Sequence, residues 1–172
     1  MLNDYKALIT LRTLGLCIAP LLLFILNGLL TSKQKAVIVF WRFKNVPPGN
    51  RAFSIYAHQD DRISVNALTI LYPKLPIDPK QQNQLWYKIY KIHAEEIIIR
   101  KSHKDFLLAR DLTSLSFLFL ISVGISSLFF NEQTFKWYYL LMLIIQYLIM
   151  VRLAQNNGIK FVKNVLAAES TK

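Results

Sequence analysis

Arg51, His58, Asp60 and Asp61 stand close together in the first half of this 172-residue chain, and they are its clearest candidates for chemistry. An imidazole beside carboxylates can move protons near neutral pH or share a metal ion. A catalytic metal, however, takes three protein ligands and keeps one position open. The other two histidines do not complete such a set: His93 and His103 are ten positions apart, about 15 Å along a helix at about 1.5 Å per residue, too far to hold one ion within a chain. The single cysteine, Cys17, lies in an apolar run, where it reads as a small filler. It has no second thiol for a disulfide or a redox pair. No cofactor and no metal is expected.

The string Ala57 to Asp61, AHQDD, resembles the AHPDDE zinc motif of sugar N-deacetylases of the PIG-L/LmbE kind. That resemblance implies a metal held by His58 and an aspartate, with the neighbouring aspartate as base. It covers five residues. Gln59 replaces the family's proline, Arg62 replaces its glutamate, no His-x-x-His follows, and the polar segment is too short for that Rossmann-like fold. Arg51 and His58 are also similar to the R-x6-H limit of the pattern in HEPN ribonucleases, which implies attack on RNA through its own 2′-hydroxyl. Those residues belong at a helix end in a dimerising four-helix bundle, whereas here Pro47, Pro48 and Gly49 lie just upstream. Short motifs also match by chance. A membrane-bound metal hydrolase or ribonuclease therefore ranks last of three functional readings.

The elements around these residues belong to a membrane protein. Leu112 to Phe130 carries no charge, and a spanning helix needs roughly 20 mostly apolar residues. Trp137 to Val151 repeats the signal, and Thr13 to Leu30 gives a third run, interrupted by Pro20 and Asn27. The expected fold class is an all-α membrane protein with three transmembrane helices. Residues 1–30 form an N-terminal anchor, 31–111 a small, mostly helical, basic cytoplasmic insert, 112–153 a transmembrane hairpin, and 154–172 a cytoplasmic tail. The anchor reads as uncleaved, because TSKQK and no small-x-small site follows Leu30. A re-entrant hairpin about Pro20 is its rival.

Charge sets the orientation. The net charge is +11, and residues 31–111 hold 14 Lys and Arg against 7 Asp and Glu. The link Asn131 to Lys136 holds one charge of each sign. Lys and Arg in short loops stay on the cytoplasmic side, which places the insert and C-terminus in the cytoplasm and the N-terminus outside. An inner, cytoplasmic membrane follows for a bacterial source. Phe129, Phe130, Phe135, Trp137, Tyr138 and Tyr139 flank the outer turn, as rings that favour headgroups should.

Within the insert, Ala36 to Phe43 fits either a short strand or a continuing helix. Pro47, Pro48 and Gly49 force a turn. A short helix is expected from Arg62 to about Tyr72 with Asp61 as N-cap. The sharpest local signal is Asp78, Pro79 and Gln81: an N-cap, a proline at the first helical position and a glutamine three after the cap. The chain should then run helically from Pro79 into the second span, with Trp86, Ile89, Tyr90, His93 and Ile97 on one face. That stripe reads as core or as a partner-facing surface, against the Arg62 to Tyr72 helix or another subunit.

Three further sets carry the functional expectation. Ser122 and Ser126 form a small-xxx-small pair suited to helix packing or oligomerisation. Gln146 lies mid-span, where its amide must find a partner because hydrocarbon offers none. Arg100, Lys101, Lys104 and Arg110 precede the second span and suit contact with anionic headgroups, at about 1 kcal/mol each. Nucleic-acid binding is the weaker explanation, since membrane topology already accounts for the basic charge. The leading reading is a non-catalytic integral membrane protein that oligomerises or docks a cytosolic, co-encoded partner. A gated effector or pore responding to a cytosolic signal comes second.

Overall fold

The computed structural model describes residues 18, 20–127 and 133–171; Cys17, Phe129, Phe130 and Asn131 lie outside them. Helix is the only regular structure among the described residues. Two long helices organise the chain: α5 (Ile97–Ser127, 31 residues) and α6 (Gln133–Ser170, 38 residues). Both are long and apolar enough to cross a membrane. At about 1.5 Å per residue they extend about 46 and 57 Å, well beyond the roughly 30 Å of hydrocarbon. The surplus turns therefore build a polar module at one end of the hairpin. The two helices pack along each other, tied where Thr113 Oγ1 donates to Ala109 O one turn back at 2.7 Å and to Met150 O across the interface at 2.9 Å.

The N-terminal apolar run is helical over Pro20–Leu29 (α1) and then breaks, and α2 (Ser32–Phe40) leaves at 104°. If the bent pair counts as one span, the number of candidate spans rises to three. The break has a local cause that the sequence reading missed. Thr31 and Gln34 form a capping box, Gln34 N–H donating to Thr31 Oγ1 and Thr31 N–H to Gln34 Oε1, which starts a new helix at Ser32. The strand-or-helix ambiguity over 36–43 resolves to helix. It ends where Trp41 turns left-handed, at φ 52°.

Two short 3₁₀ turns (Pro48–Arg51 and Tyr56–His58), α3 (Val65–Leu71) and α4 (Pro79–His93) complete the module. Two expectations need correction here. The cap of α3 is Ser64, whose side chain accepts from Ala67 N–H at 3.2 Å, so Asp61 does not cap it. The run from Pro79 into the span is broken at Ala94 to Glu96, because the α4 backbone stops at His93 and Arg100 N–H restarts the ladder on Glu96 O. Ile97 therefore belongs to α5 and is 76% exposed, off the face that buries Trp86, Ile89 and His93. The start of α4 is as expected, with Asp78 accepting from Gln81 N–H at 3.0 Å and Pro79 at the first position.

The module's core is built on α6. Phe161, Val162, Val165 and Leu166 are buried against Phe53, Tyr56, Ile63, Leu68, Trp86, Ile89 and Ile99. Residues 154–170, read from sequence as a tail, are thus the centre of the polar module. Phe161 meets Trp86 and Tyr90 edge-on at 5.2 Å each and stacks on His103 at 4.9 Å. Two glycines permit close approach. A Cβ on Gly49 would lie 2.6 Å from the Trp86 ring, and one on Gly158 would lie 3.0 and 3.1 Å from Phe106 and Phe40.

Candidate functional site

The polar groups of this chain converge where the module meets the apolar hairpin. Lys35, buried on α2, needs a counter-charge, since buried lysines are seldom left unpaired. It finds Asp111 at 3.2 Å, directly before the uncharged run. The same Asp111 oxygen accepts from Arg110 Nε and Nη2 at 3.1 and 3.0 Å. The last carbonyls of a helix lack intrahelical donors, and those of α2 are met from α6. Tyr147 Oη donates to Ile38 O at 3.0 Å, and Gln155 Nε2 to Val39 O at 2.8 Å. Trp41 Nε1 in turn donates to Tyr147 Oη at 3.0 Å. Through these bonds α2 is fixed across both long helices, with its Val39 and Phe40 packed on Ala109 and Ala154.

Beside this layer opens a groove of about 970 Å³ between α2, the 43–50 loop, the start of α4 and α5. Lys33, Lys44, Lys80 and Arg110 line it, against one carboxylate, Asp78. Its apolar wall includes Phe43, Val46, Pro47 and Phe106.

A second polar cluster lies deeper in the module. His93, at the end of α4, faces Glu96 through Nδ1 and Glu169 of α6 through Nε2. Tyr72 Oη donates to the other Glu169 oxygen at 2.7 Å. Burial, reinforced by the adjacent carboxylate, pushes the Tyr72 hydroxyl up to about 12, so it stays a donor at any physiological pH. This network joins α3, the α4–α5 break and the end of α6. A histidine held by carboxylates at both ring nitrogens has none left to bind a metal. Among the described residues no group of three or more His, Cys, Asp or Glu is arranged to hold one. Glu169 and Tyr72 were missed as site residues, because only the fold brings them to His93.

The residues singled out in sequence are dispersed. Arg100, Lys101 and Lys104 are exposed on the first turns of α5, and Arg110 alone of the four reaches the groove. Ser122 and Ser126 are exposed on α5, their hydroxyls bonded one turn back to Leu118 O and Ser122 O at 2.8 Å each. Gln146 is exposed on α6, and nothing among the described residues hydrogen-bonds its amide. Trp86, Ile89 and His93 are buried and Tyr90 partly so. Tyr90 Oη lies 3.0 Å from His103 Nδ1, and Ile97 stands apart.

Arg51, His58, Asp60 and Asp61 fall on the 3₁₀ turns and the bend that follows. His58 and Asp61 are exposed, while Asp60 accepts from Arg62 Nε and Nη2 at 3.0 and 2.8 Å. Those hydrogen bonds hold the Asp60 carboxyl down at about 2, a poor setting for a general base. Arg62 Nη2 also donates to Asn164 Oδ1 on α6 at 3.2 Å, so the pair ties the loop to the core helix. Compared with family models, with curated proteins and with solved structures, the chain matches none.

Proposed function

We propose that this chain is a non-catalytic integral membrane protein that assembles through its hairpin and presents its basic module to a cytosolic partner. In this reading there are three spans, the N-terminus lies outside, and the module and C-terminus lie in the cytoplasm against an inner membrane. The orientation follows from the excess of Lys and Arg in residues 31–111. The observation that carries the assembly reading is Gln146. Its side chain points outward from the middle of an apolar run and has no partner within the described chain. In hydrocarbon an amide must bond to another protein group, and the same residue of a second copy fits that need. Ser122 and Ser126, exposed on the adjacent helix, are small enough for backbones to come close.

A gated effector is the second reading, favoured by one feature. Helices α5 and α6 run without a break from the apolar hairpin into the module, where α6 forms the core. A partner that shifts the module would thereby move the ends of both spans.

The test of assembly is the mass of the full chain in nanodiscs or mild detergent across a concentration series. Interhelical hydrogen bonds in membranes contribute about 0.6 to 1.7 kcal/mol. Gln146→Leu should therefore weaken association by about 3- to 18-fold per bond while the module keeps its thermal stability. A chain that stays monomeric throughout, or an assembly indifferent to Gln146→Leu, would overturn the proposal.

A further inference from the structure

We infer that the groove between α2 and the start of α4 is a binding site for the headgroup of an anionic phospholipid. The inference rests on the proposed placement of the module against a lipid leaflet, and it names which part of the module meets the lipid and what it recognises. Three observations support it.

The first is charge. Lys33, Lys44, Lys80 and Arg110 line one cavity with a single carboxylate, Asp78. Arg110 is shared with Asp111, but no carboxylate pairs with Lys33, Lys44 or Lys80 among the described residues. Such lysines ordinarily stand apart on a surface, because like charges repel when they gather. Four cations bordering one cavity give it a positive field that an anion between them would offset.

The second is the backbone. The starts of two helices border the same cavity, Ser32 and Lys33 of α2, and Lys80 of α4 with its cap Asp78. A helix start presents N–H groups without intrahelical partners and the positive end of its dipole, which adds to the field of the lysines. The caps leave part of this capacity free. Thr31 accepts from Gln34 N–H, which leaves those of Ser32 and Lys33; Asp78 accepts from Gln81 N–H and Pro79 has none, which leaves only that of Lys80 at the start of α4.

The third is location and apolar character, which selects a lipid over a soluble phosphate. Ser32 and Lys33 follow directly on the apolar α1, and Arg110 stands two residues before the uncharged run that begins at Leu112. The groove therefore lies at the level where the apolar segments end, which is headgroup depth. Its wall includes Phe43, 84% exposed, and the partly buried Phe106. An exposed phenylalanine beside these cations suits a ligand with a charged head and a glyceride stem. A solvated phosphate would leave that ring in water.

The test uses the full chain released from mild detergent into a native mass spectrometer, titrated with phosphatidylglycerol or with phosphatidylcholine of the same acyl chains. The expected result is a first bound lipid that is at least tenfold tighter for phosphatidylglycerol. The triple variant Lys33→Gln, Lys44→Gln, Lys80→Gln should lose that preference by about tenfold. A charge-matched triple at exposed lysines outside the groove, Lys74→Gln, Lys88→Gln, Lys160→Gln, should change it less than threefold. Equal loss in both triples would mean that net charge alone attracts the lipid, and would overturn the site.

Glycerophosphoglycerol, the same headgroup without chains, separates lipid from solute. It should fail to displace the lipid at equimolar concentration, and efficient displacement would overturn the lipid assignment. Because binding is read in detergent, it does not depend on orientation. A reporter fused after Lys172 that proved to be outside would refute the topology and leave the groove's chemistry standing.

Discussion

Phe161→Ala separates a chain whose last segment is a loose tail from one whose last segment is its core. Phe161 is 4% exposed and makes four ring contacts, with His103, Trp86, Tyr90 and Phe106, at centroid distances of 4.9 to 6.5 Å. Truncating a buried phenylalanine removes its transfer free energy and leaves a cavity that neighbours fill only in part, about 3 to 5 kcal/mol in all. Rings fixed by several partners collapse poorly, which favours the upper half of that range. At about 2 to 4 °C per kcal/mol for a chain of this size, the melting temperature should fall by about 8 to 20 °C. Tryptophan emission is the suitable probe, because the Trp86 ring packs on Phe161 at 5.2 Å. Phe43→Ala is the control. The same atoms are deleted from an 84% exposed position, where surface changes stay within about 0.5 kcal/mol. If Phe161→Ala melts within 2 °C of the parent while Phe43→Ala behaves as stated, residues 154–170 do not form the core.

Gln82 is 1% exposed; its Oε1 accepts from Phe53 N–H, Ser54 N–H and Ser54 Oγ, and its Nε2 donates to Ile77 O at 2.9 Å. Gln82→Leu keeps the volume but strands the buried Phe53 N–H, at a cost of about 1 to 3 kcal/mol; an unchanged denaturation midpoint would refute that role. Asp60 supports the module only while ionised. Its carboxyl is lowered from 3.8 to about 2 by Arg62, so the contribution is complete above about pH 4 and is lost as pH falls through about 2. Because the Arg62 side chain is 60% exposed, solvent screening limits the effect to about 1 kcal/mol. Asp60→Asn should lower stability by that amount at pH 7 and by only a small part of it near pH 2, measured as paired denaturant midpoints. An equal loss at both pH values would show that the pair is not the cause.

Local features were legible without the fold. Asp78 and Pro79 start α4 because a cap and a fixed φ act on their own turn, and the apolar runs declare spans because length and polarity need no partner. The α1–α2 break was equally local, since Thr31 and Gln34 carry the capping-box spacing. The α4–α5 break was not. No glycine or proline marks Ala94 to Glu96, and the helix ends there where His93 is held between Glu96 and Glu169, a residue 76 positions away. The spacing of Phe161, Val162, Val165 and Leu166 is that of an apolar helical face. It could have flagged the tail as core, although not the aromatic partners that cover it.

Composition and periodicity by themselves determined that this is a helical chain with apolar segments long enough for a bilayer and a cationic remainder, because those properties are sums over neighbouring residues. Tertiary structure alone decided that Lys35 meets Asp111, that α6 closes the module, and that Lys33, Lys44, Lys80 and Arg110 border one groove. Each of these depends on the relative placement of helices. That placement is set by which faces exclude water together and by how closely residues such as Gly49 and Gly158 let those faces approach.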